Sequence, residues 1–313
     1  MSILNNFREV AIRLAKKQSG MVDHTTEEAP ILAMFPMQAA SNGLQNVYDE
    51  LKDIEGAQFV ALDEELPSVG MDSELRYVDL SVLGGIQEVG EDKALKMGGP
   101  AAYFASKMPS ILRETGANTE QSILYNNIRA YAKTNGRLQN AGGTNAGSMF
   151  SMLCVKFVPG ETTGLYDAQG LGSGKVFDIK PINGANIYKD ENRRLVYGQR
   201  MKTYIGIQLA NPRYVSGIAN IDLVVDEAED SGYVALPTEA QIDQMILDAR
   251  GNPGNTFIYM HPRTKNALNV YKGAALQTSV YDKNFDRTFD EWNGIKIITS
   301  YNFLETEGTE VFA

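Results

Sequence analysis

Between residues 75 and 82 the side chains alternate, with Leu75, Tyr77, Asp79 and Ser81 on one side and Arg76, Val78, Leu80 and Val82 on the other. A period of two fits a strand with one apolar and one wetter face. Gly84-Gly85 then breaks the run, a second extended piece covers 86–89, and Glu91-Asp92-Lys93 supplies a charged tip or return. The pair reads as a long two-stranded excursion. A lone hairpin buries too little apolar surface to be stable in water, so this excursion needs a neighbour.

The excursion feeds through Met97-Gly98-Gly99-Pro100 into a helical region. Residues 101–113 are helix-prone, and Pro109 is expected to split them into a short helix and a turn-like piece. Asn118 with Gln121 fits a capping box that opens the next helix. Ile123, Leu124, Ile128 and Tyr131, widened by Tyr125 and Ala132, give it a broad apolar face until Asn135-Gly136 supplies a left-handed stop. Upstream, Ile3, Leu4, Phe7, Val10, Ala11 and Leu14 line one side of a first helix, which docks either on its own core or on a neighbouring subunit. A polar linker follows over 18–28, then a stretch over 30–36 that its prolines extend. A second helix is expected over 41–55, with Leu44, Val47, Tyr48, Leu51 and Ile54 on one face and Gly56 as its stop. A short strand is expected over 59–62, and Asp63-Glu64-Glu65 reads as a solvated acidic patch.

Downstream, residues 142–147 form a turn and 149–158 a strongly apolar strand. Residues 159–206 are rich in Gly and Asn and read as β-rich and loop-rich, with a strand over 176–179. Further strands are expected over 204–208 and 214–225. Thr238 with Gln241 makes another capping box, and Ile242, Met245, Ile246 and Ala249 form the buried stripe of the helix it opens. A strand over 256–260, a helix over 263–271, and a strand over 295–299 entered by Trp292-Asn293-Gly294 complete a helix-strand-helix-strand unit.

At 313 residues and 43% hydrophobic, the chain is long enough for a sizeable core and two sub-domains. Its net charge of −10 disfavours a grip on nucleic acid backbones, which needs clustered Lys and Arg. Cys154 is the single cysteine, so no intramolecular disulfide and no cysteine-based metal site can form, which fits a reducing compartment. It reads as a small core residue. Asn5, Asn6, Arg8, Glu9 and Arg13 interrupt the N-terminal apolar residues, so no secretory signal is read there, and no stretch reaches membrane-spanning length. Gly170-Leu171-Gly172-Ser173-Gly174-Lys175 resembles a phosphate loop but fails its spacing, with Gln169 where a Gly belongs and Val176 after the Lys. The two histidines, His24 and His261, lack partner motifs, and no Gly-x-Ser-x-Gly elbow is present. The chain offers no catalytic set, no metal site and no cofactor site.

Several stretches taken in order resemble the major capsid proteins of tailed bacteriophages, the short-tailed branch above all. They are Leu80-Ser81-Val82-Leu83-Gly84-Gly85, then Met97-Gly98-Gly99-Pro100-Ala101-Ala102-Tyr103-Phe104, Ile111-Leu112-Arg113-Glu114-Thr115 and Tyr125-Asn126-Asn127. Phe257-Ile258-Tyr259-Met260-His261-Pro262, a helix, and Trp292-Asn293-Gly294-Ile295-Lys296-Ile297-Ile298 are similar to the strand-helix-strand core of that family's axial domain. The resemblance implies an α+β fold of the Hong Kong 97 type: an N-terminal arm (1–58), an extended β-hairpin loop (59–99), a peripheral domain with a spine helix (100–235, with a β-rich insertion at 159–206) and an axial domain with a return strand (236–313). It implies a non-enzymatic shell subunit that self-assembles as hexamers and pentamers and encloses double-stranded DNA without sequence-specific binding. Expected partners are a separate scaffolding protein, a portal and a decoration protein, and the expected place is the virion capsid, assembled in the host bacterial cytoplasm. Inter-subunit contacts are expected at Ile3, Leu4, Phe7, Leu14, Arg76, Tyr77, Val78, Leu80, Val82, Lys93 and Lys96. Two other classes compete: an encapsulin-like compartment, which shares the fold, and an unrecognised α+β enzyme with a loop-borne site.

Overall fold

The computed structural model describes residues 28–61, 65–145, 147–167, 178–226, 229, 232–276 and 291–312. In chain order, α1 (Pro30–Met34) and β1 (Met37–Ala39) precede two long strands, β2 (Gln45–Glu55) and β3 (Gly70–Asp79). β4 (Ser81–Gly90) leads through α2 (Glu91–Lys96) into α3 (Pro100–Ser122), which continues through a π-helical turn (Ile123–Arg129) into α4 (Ala130–Thr134). Strands β5 (Leu138–Asn140), β6 (Met149–Lys156), β7 (Thr162–Tyr166), β8 (Asp178–Pro181), β9 (Tyr188–Lys189), β10 (Leu195–Leu209), β11 (Val215–Val225) and β12 (Tyr233–Ala235) follow. The last unit is α5 (Glu239–Asp248), β13 (Thr256–Met260), α6 (Pro262–Leu276), β14 (Glu291–Trp292) and β15 (Ile295–Thr299).

One sheet runs β12-β11-β6-β13-β15-β14, with β5 beside β11. Its apolar residues fill both faces, as the period of two demands of a strand buried on two sides. Met152, Cys154, Ile258 and Ile297 pack against Ile242, Met245 and Ile246 of α5 and Ala267 and Leu268 of α6. Leu153, Val155, Tyr259 and Ile298 pack on the other side against Leu124, Ile128 and Ala132 of the spine, the continuous helix over 100–134 made of α3, the π-helical turn and α4, with Ile31, Phe35 and Phe303. A second sheet runs β1-β7-β10-β4, with β8 and β9 also on β10, and β2 and β3 form a third sheet of two strands.

Several local expectations are overturned. Residues 41–55 hold β2, not a helix; Val47 and Leu51 are four apart, and four is a whole number of strand periods as well as nearly one helical turn. The strands around 75–82 and 86–89 do not pair with each other: β3 pairs back onto β2, while β4 pairs antiparallel with β10. Gly84 therefore lies inside β4, where a Cβ would stand 2.7 Å from the Met201 carbonyl oxygen; it marks a close approach, not a break. Glu91-Asp92-Lys93 opens α2, whose first turn takes Glu91 and Asp92 favourably against the helix dipole. Pro109 sits inside α3 without ending it, because Pro109 and Ala105, whose carbonyl loses its partner, are both exposed to water. Asn118 is accordingly mid-helix, donating to Glu114 Oε1 at 3.2 Å. Finally, Pro30 occupies the first turn of α1, where its fixed φ suits a helix, and residues 56–61 form no strand.

Other expectations stand. Asn135-Gly136 ends the spine with Gly136 at φ +64°, and Thr238 and Gln241 form the capping box of α5. β6, β11, β13 and β15 fall where the apolar runs predicted them. The residues 3–14, His24, Leu62-Asp63-Glu64 and the glycine-rich stretch 170–175 lie outside the described residues.

Candidate assembly surfaces

The β2–β3 hairpin stands clear of both larger sheets, and its two faces differ in chemistry. Cross-strand partners share a face, so Val47 with Tyr77, Asp49 with Leu75, Leu51 with Ser73, and Ile54 with Met71 lie together. On this face Leu51 is 50% exposed, Ile54 62%, Met71 71%, Leu75 56% and Tyr77 63%. Between Leu51 and Asp53 the register shifts by one residue. That bulge keeps Ile54 on the apolar face, where an unbroken strand would have turned it away. The opposite face carries Tyr48, Glu50, Glu74 and Arg76. Glu50 and Glu74 face each other, a like-charge pair relieved by Arg76, 2.7 Å from Glu50 and 3.2 Å from Glu74, and by Lys52, 3.0 Å from Glu74. Between residues 45 and 79 ten Asp and Glu stand against Lys52 and Arg76, a net −8 of the chain's −10.

The root of the hairpin is fixed to β10. Asn46 donates to Gln208, which donates in turn to the Gly160 carbonyl at 2.6 Å, and Leu80 is buried beside Gly206. A cleft of about 470 Å³ lined by Val78, Val82, Asn118 and Ser122 separates this root from the spine. Lower on the spine, Tyr131 has its phenol pushed up to about 12, by burial first and by nearby Tyr48 and Glu50 next.

The π-helical turn grips the C-terminal segment. Tyr125 donates to Glu307 Oε1 at 2.5 Å, Ser151 to Oε2 at 2.5 Å, and Arg129 lies 3.5 Å from Glu307 and 2.9 Å from Glu310. Burial raises the Glu307 carboxyl pKa despite these donors. A second buried carboxylate, Glu120, accepts from the Leu32 N–H and Asn302 Nδ2, both at 2.9 Å, and from the Ser300 hydroxyl, tying α1, the spine and the end of β15 together.

Groups with chemical potential are otherwise occupied. Cys154 is fully buried and its thiol is pushed up to about 12 by that burial, so it holds little thiolate at neutral pH. His261 is buried, which lowers its pKa, and its Nδ1 accepts from the Arg263 N–H at the start of α6. Among the described residues no group of three His, Cys, Asp or Glu is placed to hold a metal ion, and no helix is long and apolar enough to cross a membrane.

Of the expected contact residues, Arg76, Tyr77 and Val78 lie on β3, with Val78 half-buried at the root; Val82 and Lys96 are exposed outside it, on β4 and α2. Leu80 is 8% exposed and belongs to its own chain's packing. Lys93 is on α2, not in a loop, 5.4 Å from the centre of the Tyr103 ring on α3. Ile3, Leu4, Phe7 and Leu14 lie outside the described residues. Leu51 and Ile54 were passed over because 41–55 read as a helix, and Met71 because the strand was read only from Leu75 onward; the acidic excess over 45–79 would have marked the segment as one unit.

No protein-family model matches the sequence, nor does any curated protein. Solved structures do match. A chain from the cryo-EM structure of bacteriophage Epsilon15 superimposes with a TM-score of 0.64 at 14% identity, covering 98% of this chain and 96% of that one. A chain of the bacteriophage JBD30 capsid gives 0.55 at 8% identity, over 92% and 97%. A chain of the holo-SrpI encapsulin complex from Synechococcus elongatus PCC 7942 overlaps with a TM-score of 0.48 at 10% identity, over 68% and 95%. At such identities the likeness to the two phage chains is one of fold. With a hairpin, a long spine helix and a sheet covered by helices, matched nearly end to end, the chain has the α+β Hong Kong 97-type capsid fold.

Proposed function

We propose that this chain is the shell subunit of a tailed bacteriophage, a structural protein that assembles with copies of itself around double-stranded DNA. The observation that carries the proposal is the β2–β3 hairpin. Among the described residues nothing covers its apolar face, on a fold matched over 98% of the chain by a bacteriophage chain. Two strands alone are marginal in water, so a neighbouring copy is the natural cover. In this reading the extended loop is the hairpin itself, 45–79 instead of 59–99, the arm is what precedes it, the peripheral domain spans 100–235 with its insertion at 159–206, and the axial domain spans 236–313. Arg76, Tyr77, Val82 and Lys96 remain contact residues, and Leu51, Ile54, Met71 and Leu75 join them.

Hexamers and pentamers, a separate scaffolding protein, a portal, a decoration protein, the virion as the final location, assembly in the bacterial cytoplasm and a place in the short-tailed branch follow from the resemblance. A net charge of −10 suits a shell that encloses DNA without gripping it. The role is structural and involves no catalysis. Expression of the chain, with sedimentation and electron microscopy of the product, tests the reading: closed shells of this chain are expected. A small species under every assembly condition overturns it, and shells that take up a protein cargo and no DNA favour the encapsulin class.

A further inference from the structure

β4 (Ser81–Gly90) hydrogen-bonds to β10 along one edge, and no described strand pairs with the other. In an antiparallel ladder every second residue turns its N–H and C=O away from the partner, so half of this ten-residue strand offers its backbone outward. Gly84 and Gly85 are exposed, and in a glycine what is exposed is the backbone itself. Long free edges are normally defended by charge, proline or a bulge. β2 and β3, the other described strands of ten residues or more with a wholly free edge, carry many charges and a bulge. β4 has an unbroken register with β10, no proline, and no charge from Ser81 to Gln87. Val82 and Ile86, 61% and 64% exposed, lie on the opposite face of the strand from Val89, which packs with Tyr103 and Phe104.

We propose that the free edge of β4 pairs antiparallel with the same edge of a second copy of the chain, about a two-fold axis at Gly84. The proposal rests on the shell reading and deepens it by naming a contact separate from the hairpin. The strand is complementary to itself in this register. A two-fold axis normal to the sheet keeps each face continuous, so centring it on Gly84 sets Val82 of one copy against Ile86 of the other, twice. The four side chains form one apolar patch in which no charge is buried. On the reverse face Ser81 comes opposite Gln87, whose side-chain oxygen is buried without a hydrogen-bond donor among the described residues. At the centre Gly84 has no side chain to hold the two backbones apart. Neither hairpin strand holds a run of seven uncharged residues to match 81–87, so a second β4 is the better-fitting occupant.

The test uses Val82→Cys with Ile86→Cys in assembled particles. Opposite residues of an antiparallel ladder have Cα atoms about 4.5–5.5 Å apart, within the span of a disulfide, whereas these two positions on one strand are roughly 13 Å apart. The sole native cysteine, Cys154, is fully buried and silent. Oxidised particles of the double variant should run as covalent dimers on non-reducing gels, and each single variant as monomers. Particles built from a mixture of the two single variants should give dimers as well. A double variant that assembles and stays monomeric, or that links into longer multimers, overturns the two-fold pairing and leaves the shell reading standing. Failure of the unaltered chain to assemble overturns both. Charge gives an independent readout. Val82→Lys and Ile86→Glu alter exposed positions, so each should leave the Tm of the free subunit in place and lower particle yield about tenfold or more. Combined, they set opposite charges across each pair and should restore most of the yield. Single variants with unchanged yield, or a combined variant no better than either, refute the pairing.

Discussion

Replacing Leu75 by Asp separates the stability of the subunit from that of the shell. Leu75 is 56% exposed on the apolar face of the hairpin, flanked on that face by Tyr77 and Ser73 of its strand and opposite Asp49. Fully burying a side chain of this kind is worth about 1.5–3 kcal/mol, so covering the exposed part yields about 1–2 kcal/mol at each of Leu51, Ile54, Met71, Leu75 and Tyr77, or roughly 5–10 kcal/mol per hairpin. Asp at position 75 forfeits one such share and adds the desolvation of a carboxylate, together about 3–6 kcal/mol at every contact in the shell. In the free subunit the same position stays in water, where such changes cost about 1 kcal/mol or less. Thermal unfolding of the unassembled Leu75→Asp variant should therefore stay within a few degrees of the parent, while sedimentation shows particle yield falling by orders of magnitude. A Tm loss in step with the yield would mean that Leu75 packs on its own chain. An unchanged yield would mean that this face stays wet in the particle.

Brief trypsin treatment should cut the unassembled subunit at Lys52 and Arg76 on the hairpin and spare both in particles; equal protection in the two states contradicts an assembly-covered hairpin. Gly84→Ala should cost about 1–3 kcal/mol in urea unfolding, because its Cβ meets the Met201 carbonyl at 2.7 Å, whereas at Gly85 the nearest atom is a flexible methionine methyl at 3.8 Å and Ala should be tolerated. Glu120→Ala strands the donors of Leu32, Ser300 and Asn302 and should lower stability by about 2–4 kcal/mol, read as a shift in denaturation midpoint. Burial lifts the pKa of Glu307 above its ordinary value of 4.5, so the native state holds that proton more tightly than the unfolded chain, and this group's contribution to stability falls as pH rises from there through the native value. Glu307→Gln removes that slope, so the difference in Tm between variant and parent should change as pH rises above about 4.5; a constant difference refutes the assignment.

Much of the larger sheet and its α5 cover was legible because the signals are local and agree. The Thr238–Gln241 capping box, the stripe of Ile242, Met245 and Ile246, and the apolar runs of β6, β13 and β15 each specify one period and one end. The hairpin was legible only in part. Alternation around Leu75 and Tyr77 identified β3, but a strand is half a statement, and which strand pairs with it depends on register at a distance. Val47 and Leu51 satisfy helical and strand spacing alike, so the partner was misread and the pairing was assigned to β4 instead. Pro109 was misjudged for the opposite reason: its local cost is real, but the buried contacts of Tyr103, Phe104, Ala117 and Glu120 on both sides of it hold the helix together. Nothing in spacing points to Glu120 or Glu307, whose hydrogen-bond partners lie between 88 and 182 residues away.

The bulge between Leu51 and Asp53 bears most directly on what the hairpin is for. A bulge interrupts the ladder and leaves a residue unpaired, which weakens a two-stranded sheet already marginal by itself. In a hairpin surrounded by water nothing is gained by this, since Ile54 is solvated whichever way it points. The bulge becomes favourable once the face carrying Val47, Leu51, Met71, Leu75 and Tyr77 is covered, because it then adds Ile54 to a continuous apolar stripe and keeps the charged set of Glu50, Lys52, Glu74 and Arg76 on the opposite side. On the proposed shell reading the assembled state accounts for the irregularity. Straightening the ladder by inserting one residue between Asp72 and Ser73, opposite Lys52, should leave the isolated hairpin paired while turning Asp53 and Asp72 onto the stripe and Ile54 and Met71 off it, and it should impair assembly more than it impairs folding.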